Sequence, residues 1–161
     1  MTSHKLKYPE MIEDKYYYNT QKRRKSNNGN NGVHVIIFVH GFQGNTRDLL
    51  LIRNELAVLF PEHFFLMSSA NEEFTTGSIG EMGTRLASEV TTFLREECSD
   101  YEVGRISFIG HSLGGLIIRS CLPHLSEYQS LMHTFVSLSS PHLGYTSKES
   151  KIVRMAMWLY K

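Results

Sequence analysis

The stretch Phe108-Ile-Gly-His-Ser-Leu-Gly114 constrains this chain more than any other. It sets a Gly-x-Ser-x-Gly pattern directly behind an apolar, β-branched run. That order fits a sharp strand-to-helix turn, a nucleophile elbow, which lifts one serine hydroxyl off the edge of a sheet. Such a turn is strained and its neighbours approach it closely, which asks for Gly110 and Gly114 on either side of the serine. Ser112 is therefore the candidate nucleophile. Five residues alone are a weak signal, and a glycine-rich turn of any βαβ unit competes with this reading, so the flanks carry the weight. Gly104–Ile109 has the alternation of a short strand. Leu113, Leu116, Ile117 and Leu122 then follow at helical spacing up to Pro123. Glycines at 110, 114 and 115 have the wrong spacing for a dinucleotide fingerprint, and no Gly-Lys-Ser/Thr of a phosphate-binding loop occurs.

A second motif lies upstream. Val33–Val39 is almost continuously apolar, as expected of a strand buried on both faces of a parallel sheet. It runs into His40-Gly41-Phe42-Gln43-Gly44. A strand ending in His-Gly and followed by another glycine is a form in which lipases and esterases build half of an oxyanion hole. Gly41 and Gly44 let the loop curl inward, and the backbone amides of Phe42 and Leu113 are the expected donors to a developing alkoxide. His40 follows an early strand, the wrong place for a general base in this chain order, and is expected to brace the loop instead.

These residues, together with Ser137-Leu-Ser-Ser-Pro-His-Leu-Gly144, resemble an α/β-hydrolase, and more narrowly the putative serine esterase (lipase-like) domain of unknown function found in eukaryotic proteins. The resemblance covers roughly residues 33 to 145. It implies a serine hydrolase acting on an ester, a lipid ester among the candidates, through an acyl-serine intermediate.

The intervening segments fit that plan. Asn45 or Thr46 is expected to cap a helix carrying Leu49, Leu50, Ile52, Leu56 and Leu59 and closed by Pro61. His63–Met67 reads as a strand, and Ser78-Ile-Gly-Glu81 as a capping box opening a helix with Leu86, Val90, Phe93 and Leu94 on one face. Met132–Leu138 reads as a further strand. The expected fold class is α/β: a mostly parallel sheet with helices on both faces, joined by right-handed crossovers and truncated at its C-terminal side. Its ligand site should lie at the carboxyl ends of the strands.

The triad is incomplete. In this fold the nucleophile is followed by an acid and then a histidine. Beyond Ser112 the acids are Glu127 and Glu149, and the histidines are His124, His133 and His142, so no histidine follows Glu149. Two readings remain open. The chain is a fragment cut before its acid and base, which the apolar ending Met155–Tyr160 favours, or it is a catalytically silent hydrolase-fold module that binds a lipid or protein partner. His142, on the loop behind its strand, is the candidate substitute base, against a structural role in the Ser-Pro-His-Leu-Gly turn.

Composition bounds the remainder. A chain of 161 residues holds one domain at most, with a sizeable core. The net charge of +1 hides an asymmetry: residues 1–32 carry seven Lys/Arg against three Asp/Glu, and the rest ten against thirteen. Residues 1–32, with Lys22-Arg-Arg-Lys25 and an Asn/Gly run, read as a flexible basic arm leading into a partial hydrolase domain at 33–161. A solvated linker is preferred there to a contact with anionic lipid or RNA, and no specific nucleic-acid partner is expected. Ile152, Met155, Ala156 and Leu159 form a helical stripe, read as core-facing in preference to a lid or a peripheral membrane contact. No signal peptide or membrane-spanning run is visible, and Cys98 and Cys121 lack metal-like spacing. A cytoplasmic location and the absence of cofactor and metal are therefore the default expectations. Oligomeric state is left open.

Overall fold

In the computed structural model, residues 32–142 are described. The basic arm and the stripe from Ile152 to Leu159 lie outside them. Four strands form one parallel sheet: β1 (Val33–Val39), β2 (Phe64–Met67), β3 (Val103–His111) and β4 (Met132–Leu138), in the order β2-β1-β3-β4. Strands β1 and β4 have the bounds that the apolar runs predict. The register sets Phe38 beside both Met67 and Ile109, and Gly110 beside Ser137.

Period-two alternation along β1 divides the core. Val35, Ile37 and Val39 face the larger cluster with Phe64, Leu66, Ile106 and Phe108, beneath α2 (Ile79–Glu96) and α3 (Leu113–Cys121). Ile36 and Phe38 face a smaller cluster with Phe65, Met67 and Ile109, beneath Leu49 and Leu56 of the α1 (Leu50–Leu59) region. Helices thus cover both faces. The α2 helix buries Leu86, Val90, Phe93 and Leu94 as its spacing predicts, and Ser78 Oγ accepts the Glu81 N–H at 3.2 Å to cap it.

The α1 helix departs from expectation. It begins at Leu50, with no side-chain cap from Asn45 or Thr46. Asn45 Oδ1 instead accepts the Arg47 N–H, and the Thr46 N–H goes to Glu72. Residues 45–49 are thereby held as a turn, and Leu51 is left 77% exposed while Arg53 is buried. Downstream, α3 gives way at Leu122 to a 3₁₀ stretch reaching Leu131.

Strand β4 is an edge strand among the described residues, with Phe135 39% and Val136 37% exposed. A cleft of about 480 Å³ runs along it, lined by Phe108, Leu125, Met132 and Phe135; Ser112 does not line it. At the amino ends of the strands, the ring of His34 on β1 lies 4.8 Å from that of His63 and 5.3 Å from that of His133 on β4.

Candidate functional site

The strand order places the topological switch between β1, whose chain moves on to β2, and β3, whose chain moves on to β4. Open α/β sheets offer their ligand crevice at the carboxyl ends of the strands flanking such a point. The two sequence motifs end those two strands, at His40–Gly44 and at His111–Gly115.

Ser112 sits between β3 and α3 with φ of 52° and ψ of −118°. A serine pays for a left-handed φ, at a cost of order 1–3 kcal/mol, so the surrounding structure must hold it there. The Ser112 N–H donates to Leu138 O at 2.8 Å and the Ser112 carbonyl accepts from Gly115 N at 3.2 Å, tying the turn to β4 and to the first turn of α3. Strain resides in the serine, and the flanking glycines serve close approach. A Cβ on Gly114 would fall on Val39 O and within 2.7 Å of His40 O, so α3 starts directly against the end of β1. Gly110 likewise backs onto the Gly115 N–H.

The loop behind β1 comes up against this turn. A Cβ on Gly41 would stand 3.1 Å from Ser112 Cβ and 3.2 Å from His111 O. His40 is buried, and its Nδ1 donates to Gly41 O at 2.9 Å; the Gly44 N–H reaches the same carbonyl at 3.2 Å. In a trans peptide C=O and N–H point opposite ways, so pinning Gly41 O also fixes the direction of the Phe42 N–H. Among the described residues, neither the Phe42 N–H, the Leu113 N–H nor Ser112 Oγ makes a hydrogen bond. Two unpaired donors and one unpaired hydroxyl thus belong to two turns in contact.

His142 is not joined to them. Its Nε2 bonds Ser137 Oγ, its ring meets Phe135 edge-on at 6.2 Å, and Arg119 donates to its carbonyl. These contacts hold it on the α3 side of β4. Glu127 pairs with Arg95 at 3.6 Å on the surface. Cys98 and Cys121 are buried and form no disulfide, and burial pushes the Cys121 thiol up to about 12, which makes it an inert side chain at neutral pH. No group of His, Cys, Asp or Glu suited to a metal occurs among the described residues, and none of the described helices is long and apolar enough to cross a membrane.

Sequence reasoning missed two features of this region. Gln43 and Ser139 also take left-handed φ, 51° and 54°, so the three non-glycine residues with positive φ among those described follow β1, β3 and β4 at one end of the sheet. The loop between β2 and α2 is also tied to the β1 loop, through Thr75 and Glu72. Neither residue type carries a local signal for that.

The chain is 30% identical over 143 residues to the putative lipase YDL109C of Saccharomyces cerevisiae, a match covering 77% of this chain and 20% of that protein. It is 25% identical over 136 residues to the putative lipase ROG1 of the same yeast, covering 77% and 19%. The chain therefore spans about a fifth of the length of these relatives. Among solved structures, a NocB thioesterase domain in covalent complex with a fluorophosphonate nocardicin G analog superposes with a TM-score of 0.52 at 19% identity, over 79% of this chain and 54% of that one. That likeness identifies the fold as an α/β hydrolase. Residues 29–161 match the family described as putative serine esterase (DUF676), and the chain belongs to that family.

Proposed function

We propose that this chain carries the nucleophile and the oxyanion donors of a serine esterase that cleaves a carboxylic, lipid-type ester through an acyl-serine. The observation that carries the reading is the strained Ser112 turn with the Gly41 loop packed against it and two unpaired N–H groups beside it. Family membership and the lipase names of the yeast relatives supply the ester class.

Ser112 Oγ attacks the ester carbonyl carbon, and the carbonyl oxygen becomes an alkoxide received by the N–H groups of Phe42 and Leu113. Each such donor typically contributes about 2.7–4 kcal/mol to the transition state. Collapse expels the alcohol and leaves acyl-Ser112, which water then hydrolyses. The hydroxyl proton needs a base, usually a histidine oriented by a carboxylate. Ser112 Oγ has no such partner within residues 32–142, and we assign the base to a segment outside them, in keeping with relatives about five times as long.

A fluorophosphonate probe tests this without knowledge of the substrate. Ser112 should be phosphonylated in preference to other serines, and Ser112→Ala should abolish the adduct. An unmodified Ser112 both in this chain and in a chain extended to the relatives' length would sink the esterase and leave a binding module on the same fold.

A further inference from the structure

We infer that Thr75, on the loop between β2 and α2, is a positioning residue for the oxyanion donor at Phe42. The inference rests on the esterase reading above. Thr75 is buried, and its Oγ1 accepts the Gln43 N–H at 3.0 Å. Two consecutive peptide units of the β1 loop are thereby pinned, one by its carbonyl and the next by its N–H. His40 and Gly44 hold the carbonyl of the unit whose N–H is Phe42's, and Thr75 holds the N–H of the next. Gln43 needs that hold, because its φ of 51° is one a glutamine leaves readily when nothing retains it. If Gln43 relaxed toward negative φ, the Phe42 unit would swing with it.

The loop that carries Thr75 is itself anchored to α2. Asn71 is buried and gives Nδ2 to Met82 O at 3.0 Å, while its Oδ1 accepts Arg85 Nε at 2.8 Å. Glu89 accepts from Ser68 Oγ at 2.6 Å and from the Ser69 N–H at 2.9 Å. The Arg85 guanidinium also stands 5.3 Å over the Phe74 ring. A second strut runs from the same loop, where Glu72 Oε1 accepts the Thr46 N–H at 2.7 Å. The α2 helix thus sets the 68–77 loop, and that loop sets the turn at Gln43.

The test combines two readouts on the 161-residue chain. Amide exchange in the unsubstituted protein should find the Gln43 N–H protected and the Phe42 N–H unprotected; equal, fast exchange of both overturns the inference whatever the variants do. Phosphonylation of Ser112 is then resolved into probe affinity and the rate of bond formation. Thr75→Val keeps the shape and loses the acceptor, and should slow bond formation roughly ten- to a hundredfold, the scale of an ångström-level misplacement, with affinity held within about twofold. Thr75→Ser should restore the rate, which a purely packing role would not achieve. Should the valine variant fail to fold, Thr75→Ala against Thr75→Ser makes the same comparison. Normal bond formation in Thr75→Val overturns the role of Thr75 alone. No adduct at Ser112 in this chain leads to the same comparison in a chain extended to the relatives' length, and no adduct in either overturns the esterase reading and this inference with it.

Discussion

Behind β3 the chain turns through Ser112 on glycines of its own motif and one carbonyl at the end of β4, whereas behind β1 it turns through Gln43 on a hydroxyl 32 residues away. Both residues hold a left-handed φ. The first turn is set by close approach: α3 abuts the end of β1, and Gly114 leaves no room for the chain to go elsewhere. The second is set by hydrogen bonds that reach it from α2 by way of another loop. A turn fixed by contact between backbones should fail by unfolding, and a turn fixed by hydrogen bonds should fail by losing aim.

Glycine substitutions give the largest effect and the sharpest break of that contrast. In Gly114→Ala the new methyl meets Val39 O and His40 O, both backbone, and no side-chain rotation relieves it. We expect a loss of about 3 kcal/mol, at the upper end of overpacking costs. In Gly44→Ala the methyl meets the Asp48 carboxylate, which can swing away, while His40 Cβ at 3.1 Å and Gly41 N at 3.2 Å need give by only a few tenths of an ångström, so the loss should stay at about 1 kcal/mol. Urea melts of the two variants measure this; similar losses would remove the distinction between the turns.

Gly41→Ala probes the seam between them. Its methyl would press on Ser112 Cβ at 3.1 Å and His111 O at 3.2 Å, contacts that yield by a few tenths of an ångström. Stability should change little, while phosphonylation of Ser112 slows about tenfold as the β1 loop backs away from the serine. A large drop in melting temperature with an unchanged rate would mean that the seam is structural only.

The same contrast explains what could be read from the sequence. Strand β1 was legible to the residue because a parallel strand buried on both faces must be continuously apolar, and a helix cap such as Ser78 acts within one turn. Gly110-x-Ser112-x-Gly114 was legible because its constraints are local. The start of α1 was not, since Thr46 gives its N–H to Glu72, 26 residues on, and the turn that results displaces the expected cap. Thr75 was silent for the same reason: nothing near a threonine in sequence announces that a distant backbone amide will point at it. His142 shows the converse. It sits on the expected loop, yet Ser137 on its own strand takes its Nε2.

The amino end of the sheet supplies a pH-dependent control, because its sensitive group is remote from both turns. Burial, together with the nearby His63, Arg105 and His133 charges, pushes His34 down from 6.5 to about 4, and its Nε2 pairs with Ser107 Oγ at 2.7 Å. The folded state therefore binds fewer protons than the unfolded state between these values. This contribution to stability is complete above pH 6.5 and is lost as pH falls toward 4. Thermal melts should decline through that window, and His34→Gln should flatten the decline. A decline of equal slope in the variant would assign the acid sensitivity elsewhere.

The smallest effect separates the helix from what hangs on it. Ser78→Ala removes the hydrogen bond to the Glu81 N–H and should cost about 1 kcal/mol, the usual loss for an N-cap serine. The groups of α2 that hold the 68–77 loop are Met82 O, Arg85 and Glu89, and the Glu89 contacts lie three turns inside the helix. Fraying of the first turn, which carries Met82, should leave the Arg85 and Glu89 contacts made, so the melting temperature should fall while the Gln43 amide stays protected and Ser112 reacts at its parent rate. If protection of Gln43 is lost together with the cap, the support for the β1 loop begins at the helix end, and Thr75 only transmits it.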